Sequence, residues 1–526
     1  MKQYLTKTDF NRWMTCRTAA HYGWLGYDSK NDKDPFLSFL AEEGRTVGRM
    51  ARRLFKDARM VDSLDIETAE AITRRMMGEG DCTLFEACLT DGRFVVRPDV
   101  LIRKGRTLYV IEVKSKLGNL RQHREGKLLI NCYGDVRAAY REIVHDLAFQ
   151  VEVLRRACPE LSIVPYFLLP EETSRSCEEE VQAARLKEQI VDIPADGAAL
   201  EKNRVESVLK FFVADKAIDK IQAIVGTEMD AMADVWESGQ RPEPKLKYGC
   251  RNCEYRLKGE RCQTDGFHQC WGQLAKPAPH LFDLHQLYQL KAQENKQVLL
   301  ADEKIREGTT SLFDIREAEL QGEHATRQRL QLNYQQSGEE WIDPELSEEI
   351  AGLNWPIAFV DFETTMAAIP WHGGLKPYET LPFQFSVHIL HEDGRYEHKE
   401  WLNVEDRVPT LPFIQNLRAS LEGVSSVMVY TDYENRILSE AIGLLKRLHR
   451  DESQEERQWI AELLNSQRIV DQHEWVYRYH FHPQMSGRTS IKVVLSAVWQ
   501  NNQNLHHHPY FRRYFLEQNG QIVDPY

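Results

Sequence analysis

No run of about 18 apolar residues occurs in the chain, which excludes a membrane-spanning helix from this sequence. The opening stretch MKQYLTKTDFNRW also lacks the apolar core of a secretory leader, so a cytoplasmic setting is expected, with no membrane partner. Positive charge is in deficit: 67 Lys and Arg against 80 Asp and Glu leave a net charge of −13. A surface that is basic overall is therefore excluded, although basic residues crowd positions 45–56 and 97–127, and a local basic cleft stays open. The ten cysteines are too few and too scattered for a disulfide framework in a chain of 526 residues, which points to ligands or buried thiols. What is present, 42% hydrophobic and 28% charged residues, is the composition of a globular protein long enough for several cores.

Gly92 to Ser115, GRFVVRPDVLIRKGRTLYVIEVKS, holds two β-branched apolar runs around Lys104-Gly105, and these predict a β-hairpin with a glycine-assisted turn. Side chains alternate faces along a strand, so Glu112 and Lys114 emerge together, about 7 Å apart. The pairing that the turn implies brings Asp99 into their neighbourhood. Two carboxylates and a lysine beside a buried strand are costly unless they hold a cation or a reacting phosphate. Asp99 and Glu112 suit Mg²⁺ or Mn²⁺ through oxygen ligands. Lys114 would help orient water or offset charge. An ordinary cross-face ion pair on a surface hairpin is the competing reading.

The spacing P-D-x12-E-x-K resembles that of PD-(D/E)XK nucleases, and its setting is similar to their RecB-like branch. The resemblance implies a restriction-endonuclease-like α/β core over residues 1–275. Thr8 is a candidate N-cap for a first helix carrying Trp13 and Cys16, and Glu42 to Phe55 reads as another helix. Relatives of this kind carry a metal-binding histidine on the latter helix, where Gly48 stands here; Glu42 and Glu43 are weak substitutes. His145 to Leu154 reads as a helix whose Gln150 resembles the glutamine that follows the catalytic lysine. Ile163 to Leu169 reads as a strand, and Glu171 to Glu201 as a polar excursion.

Tyr248 to Trp271 carries Cys250-x2-Cys253, then Cys262 and Cys270. Four clustered cysteines in a reducing compartment point to a metal. Tetrahedral zinc is natural if these four bind together, whereas a [4Fe-4S] cluster is natural if Cys16 joins three of them. The resemblance to iron-sulfur nucleases, the fourth CRISPR-associated protein and AddB among them, implies Cys16, Cys250, Cys253 and Cys270 as cluster ligands, with Cys262 the alternative for the last position.

Residues 276–353 are charged and helix-like, and read as a helical connector. At Pro356 the texture changes: PIAFVDFETT is a buried strand with Asp361 and Glu363 on one face. Val427 to Tyr430 and Ile469 to Asp471 read as further strands, and Ser486 to Val498 as a turn followed by a helix. The D-x-E-T motif resembles the first motif of DEDD, or DnaQ-like, exonucleases, implying an RNase H-like domain over 354–526 in which Asp361, Glu363, Glu434 and Asp471 bind metals. Asp432 is the alternative to Glu434, and Arg488 or Lys492 would meet a phosphate. The last aspartate of that family is missing from a C-terminal helix; Asp524 lies in a Gly/Pro context, and whether this domain is complete or degenerate is left open. His506 to His508 read as a polar loop. The segment PWHGGLKPYETLPFQFSVHI, together with D-F-E-T, also resembles an uncharacterised bacterial domain family found after RecB-like nuclease domains.

Together these resemblances imply a metal-dependent DNA nuclease with two centres, in DNA end processing or antiphage defence, with DNA and a helicase or another defence or repair protein as partners. The alternative is a catalytically degenerate DNA-binding or scaffolding subunit of a helicase-nuclease assembly.

Overall fold

A computed structural model describes residues 3–55, 57–178, 181–182, 207–257, 265–518 and 520–524. It is a mixed α/β structure in two compact units. The first comprises Met1–Lys245, Glu254–Gly266 and Met366–Glu379; the second comprises Leu246–Cys253, Phe267–Thr365 and Thr380–Tyr526. The residues read as a connector therefore share a unit with the C-terminal sheet. Most of the polar excursion, and Cys262, lie outside the described residues. Among the described residues no helix is long and apolar enough to cross a membrane.

The first unit is built on a six-stranded sheet whose strands lie in chain order: β1 (Arg59–Met60), β2 (Cys82–Phe85), β3 (Val100–Lys104), β4 (Thr107–Val113), β5 (Ser162–Pro170) and β6 (Leu209–Val213). β3 and β4 form the expected antiparallel hairpin, and Gly105 takes the left-handed backbone (φ 55°) that the two-residue turn requires. β4 and β5 run parallel, which demands a crossover; α4 (Arg141–Ala157) lies in it. Helical spacing puts Val144, Leu147, Ala148, Val151 and Leu154 on the buried face of α4.

Period-two alternation then divides the sheet's two faces. Leu101, Leu108, Val110 and Phe167 pack with α1 (Lys7–Thr15), α4 and α5 (Asp215–Ser238). Val100, Ile102, Ile111 and Leu168 pack with Val47, Met50 and Ala51 of α3 (Pro35–Arg52). Each such side chain contributes roughly 1.5–3 kcal/mol by leaving water, so a one-residue slip of β4 would exchange its faces and lose most of that. Between α1 and α3 lies α2 (Arg17–Trp24), with Cys16 as its N-terminal flanking residue. α1 starts two residues earlier than the Thr8 cap predicts. Thr6 is the N-cap, because its hydroxyl accepts from Asp9 N (3.4 Å) while the Asp9 carboxylate accepts from Thr6 N (2.8 Å), a reciprocal capping box.

The second unit holds a five-stranded sheet in the order β9-β8-β7-β10-β11, where β7 is Ile357–Thr365, β8 Leu381–Leu390, β9 Tyr396–Leu402, β10 Ser426–Val429 and β11 Ile469–Asp471. β7, β8 and β9 are antiparallel, whereas β7, β10 and β11 are parallel. α6 (Ala325–Ser337) precedes the sheet in the chain, and α7 (Thr410–Ser420), α8 (Tyr433–Leu448) and α9 (Gln454–Asn465) cover one face through Phe413, Ile437, Leu445 and Ile460. In β7 the even residues Ala358, Val360 and Phe362 point into that core, and the odd residues Phe359, Asp361 and Glu363 are exposed on the other face. α10 (Gln472–Tyr479) follows β11 directly, and α11 (Ile491–Asn501) follows the Ser486-Gly487 turn. His506 and His507 end a short helix rather than lying in a loop. His506 is buried, with its Nε2 2.6 Å from the Trp499 carbonyl.

Candidate functional site

In the first unit the register of β3 and β4 pairs Val100 with Ile111. Continued by one residue, it sets Asp99 opposite Glu112, on the face that carries Leu101 and Val110. Glu112 is 1% exposed, yet every oxygen has a partner. Its Oε1 accepts from Lys7 Nζ at 2.5 Å and lies 3.1 Å from Lys114 Nζ, and its Oε2 accepts from Gln150 Nε2 at 2.6 Å. Lys114 Nζ also donates to Asp146 Oδ2 at 2.5 Å, and Asp146 Oδ1 accepts from Asn11 Nδ2 at 2.6 Å. The Asp99 carboxylate accepts from Val113 N at 2.7 Å. The four predicted residues Asp99, Glu112, Lys114 and Gln150 are thus brought together.

Charge balance in this cluster is set by burial and by the two lysines. Burial, and then the neighbouring Glu112 charge, push the Asp99 carboxyl up to about 7. Burial acts on Glu112 in the same sense, but Lys7 and Lys114 outweigh it and hold that carboxyl below its ordinary range. Burial depresses Lys114, while Glu112 and Asp146 more than offset it and keep the ammonium charged.

Three residues of this cluster, Lys7, Asn11 and Asp146, escape sequence reasoning. Asp146 sits four residues before Gln150 and so on the same face of α4; that spacing was the signal available. Lys7 and Asn11 arrive from α1, through contacts 105 and 135 residues apart in the chain. α3 supplies no ligand in place of Gly48. A Cβ at Gly48 would meet nothing within 4 Å, and the buried side of α3 packs against Val100 and Ile111, on the face opposite Glu112. Glu42 is engaged by Arg45 and Arg49, and Glu43 accepts from Ala368 N at 3.3 Å, so neither substitutes for the histidine.

In the second unit the carboxylates gather at the C-terminal ends of parallel strands, where open α/β sheets commonly bind ligands. Asp361 and Glu363 leave the exposed face of β7, Asp471 ends β11, and Glu434 lies in the first turn of α8. The β10–α8 connection is tight enough to hold Thr431, a β-branched residue, at φ 72°, and Thr431 N donates to Asp471 Oδ1 at 2.8 Å. Glu434 is buried, and its Oε2 has no hydrogen-bond partner. Burial pushes its carboxyl up to about 7, and the charges of Asp361, Asp471 and Asp432 add to the rise, so the named acids act on one another. Desolvation also raises Asp361. Among the described residues none of Asp361, Glu363, Glu434 and Asp471 has an ion-pair partner. An orphaned buried carboxylate oxygen amid unpaired acids is a donor set suited to a hard divalent cation.

His473 is the residue sequence reasoning missed here. It follows Asp471 in the pattern D-x-H-E, and ligand atoms of Asp471, His473 and Glu474 lie within 4.8 Å of one another. Its Nε2 is 2.9 Å from Thr489 Oγ1. Arg488 is exposed just after the Ser486-Gly487 turn, and Lys492 lies in α11. Asp524 is exposed and outside any helix. Beside Phe359, an open cavity of about 1030 Å³ is lined by Met428, Tyr430, Trp475, Ile491 and Val494. Of the cysteines, Cys250, Cys253 and Cys270 are partly buried and pack against one apolar cluster of the second unit, with Phe282, Leu281 and Trp271. Cys16 belongs to the first unit.

No curated protein matches the chain. A family model described as "Domain of unknown function (DUF2779)" matches residues 358–490. That span begins at the second residue of β7 and closes just before α11, so it takes in Asp361, Glu363, Glu434, Asp471 and His473 and none of the first cluster.

Proposed function

We propose that the chain is a metal-dependent DNA nuclease that hydrolyses phosphodiester bonds, with a PD-(D/E)XK-type centre in the first unit and an RNase H-like, exonuclease-type centre in the second. The observation that carries the proposal is Asp99 set opposite Glu112 on adjacent strands, with Lys114 and Gln150 on the same carboxylate. In the first unit, antiparallel β3–β4 followed by a helical crossover to parallel β5 supports the PD-(D/E)XK reading. In the second, the strand order 3-2-1-4-5 with Asp361 and Glu363 on β7, Asp471 at the end of β11 and Glu434 in the helix that follows β10 supports the RNase H-like one.

In the first centre Asp99 and Glu112 would hold Mg²⁺ or Mn²⁺; in the second, Asp361, Glu363, Glu434 and Asp471 would, with His473 beside Asp471 as a further donor. A bound cation supplies Lewis acidity and an activated water. The chain's own part is to orient and to exclude. Gln150 fixes the Glu112 carboxylate, Asp146 fixes Lys114, and Lys114 keeps positive charge where negative charge grows on a phosphate. DNA is the preferred substrate through resemblance to RecB-like nucleases, and end processing or antiphage defence beside a helicase suits that substrate.

Cys250, Cys253 and Cys270 are proposed to hold a [4Fe-4S] cluster, with zinc the competing metal. Iron content and absorbance near 400 nm of anaerobically purified protein decide between them, and Cys16→Ser against Cys262→Ser decides the fourth thiolate. A second reading, a DNA-end-binding subunit without cleavage, is favoured by the saturation of Glu112 by two lysines and a glutamine. Mn²⁺-dependent cleavage of labelled DNA that is lost in Glu112→Ala would reject it.

A further inference from the structure

α1 opens with a cation at the wrong end. The N-terminus of a helix carries partial positive charge and disfavours Lys there, yet Lys7 is the first residue of α1, fixed by the Thr6–Asp9 capping box. What holds it there is Glu112, at 2.5 Å. The two ammonium groups on Glu112 are not equivalent. Lys114 has a second carboxylate, Asp146 at 2.5 Å, itself anchored by Asn11. Among the described residues Glu112 is the one ion-pair partner of Lys7, whose side chain is 32% exposed. A divalent cation arriving at Glu112 competes for the same oxygen and releases the lysine with one anchor before the lysine with two.

We propose that Lys7 is an exchangeable cation of the first centre: it neutralises Glu112 in the metal-free chain, gives that carboxylate up to the metal, and then meets a non-bridging oxygen of the phosphodiester. This rests on the nuclease reading of the same site. Division of labour follows: Lys114, held by Glu112 and Asp146, stays in place as the fixed positive charge, while Lys7, on a flexible stem a third exposed, follows the negative charge from carboxylate to phosphate.

The test is Mn²⁺ binding by calorimetry, alongside single-turnover cleavage of end-labelled DNA at saturating Mn²⁺, for wild type, Lys7→Met and Lys7→Arg; the Mn²⁺ site lost in Glu112→Gln identifies the first centre. Lys7→Met is expected to bind that Mn²⁺ several-fold more tightly, since the competitor is gone, and to cleave at least tenfold more slowly. Lys7→Arg, whose fork grips a carboxylate more firmly, is expected to bind Mn²⁺ more weakly, and keeps the proposal testable if the methionine variant does not fold. A lysine with a merely structural role would lower affinity and rate together. Unchanged or weaker Mn²⁺ binding in Lys7→Met overturns the exchange, and tighter binding with unchanged cleavage overturns the phosphate contact. If no Mn²⁺ site responds to Glu112→Gln, the nuclease reading of this centre fails instead.

Discussion

The two carboxylate clusters solve one electrostatic problem in opposite ways. In the first unit Glu112 and Asp146 are matched by Lys7 and Lys114, so these two acids are buried and compensated by the chain itself, and Asp99, outside those ion pairs, is pushed up to about 7. In the second, none of Asp361, Glu363, Glu434 and Asp471 has an ion-pair partner among the described residues, and Glu434, buried and acted on by Asp361, Asp471 and Asp432, holds its proton up to about pH 7. The difference teaches that the first cluster is part of what holds its unit together, whereas the second is a strain its unit tolerates. Mutation should therefore move stability in opposite directions at the two sites.

The largest effect is expected at Glu112. Glu112→Ala takes from Lys7 its ion-pair partner and from Lys114 one of two, and breaking a buried pair from one side costs about 3–5 kcal/mol; with Lys7 and Lys114 a third and a quarter exposed, roughly 3 kcal/mol is expected in urea unfolding without metal. A loss under about 0.5 kcal/mol would erase the contrast. Glu434→Gln should do the reverse. Its folded value of about 7 lies above the ordinary carboxylate value near 4.3. The stability this proton confers is thus complete below that ordinary value and lost as pH rises through 7. In chelator the glutamine variant should match wild type at pH 4 and exceed it at pH 8, by on the order of 1 kcal/mol after screening; parity at pH 8 would contradict the account. Glu112, held low, runs the other way, its contribution fading only as pH falls below the ordinary carboxylate range. Smallest is the cap: Thr6→Ala should cost about 1 kcal/mol, and it sharpens the comparison by loosening Lys7 without touching a carboxylate.

How much of this the sequence disclosed depends on how local each signal was. The hairpin around Lys104-Gly105, the shared face of Glu112 and Lys114, and the D-x-E of β7 were legible because period-two alternation needs only neighbours. Gln150 was legible through resemblance, and Asp146, one helical turn earlier, was open to the same reading. Lys7 was not. Its meeting with Glu112 spans 105 residues and leaves no mark on local pattern beyond a lysine at a helix start. Thr6 was displaced by Thr8 because both hydroxyls precede the apolar face, although only Thr6 has an acid three residues on. The assignment of the connector residues to the second unit was hidden for a similar reason, since contacts such as His285 Nδ1 with the Gly487 carbonyl (2.7 Å) and Arg327 with the His480 carbonyl (2.6 Å) join residues more than 150 apart.

The central claim is that both clusters are metal-dependent hydrolytic centres, and one assay addresses it most directly: anaerobically purified protein, Mn²⁺, and end-labelled single- and double-stranded DNA, comparing wild type with Glu112→Ala and Glu363→Ala. The account predicts that wild type cleaves, that each substitution removes a separable part of the products by about 10²-fold or more, and that the double variant is inert. Absence of cleavage by wild type in Mn²⁺ and Mg²⁺, or undiminished cleavage by the double variant, would contradict it.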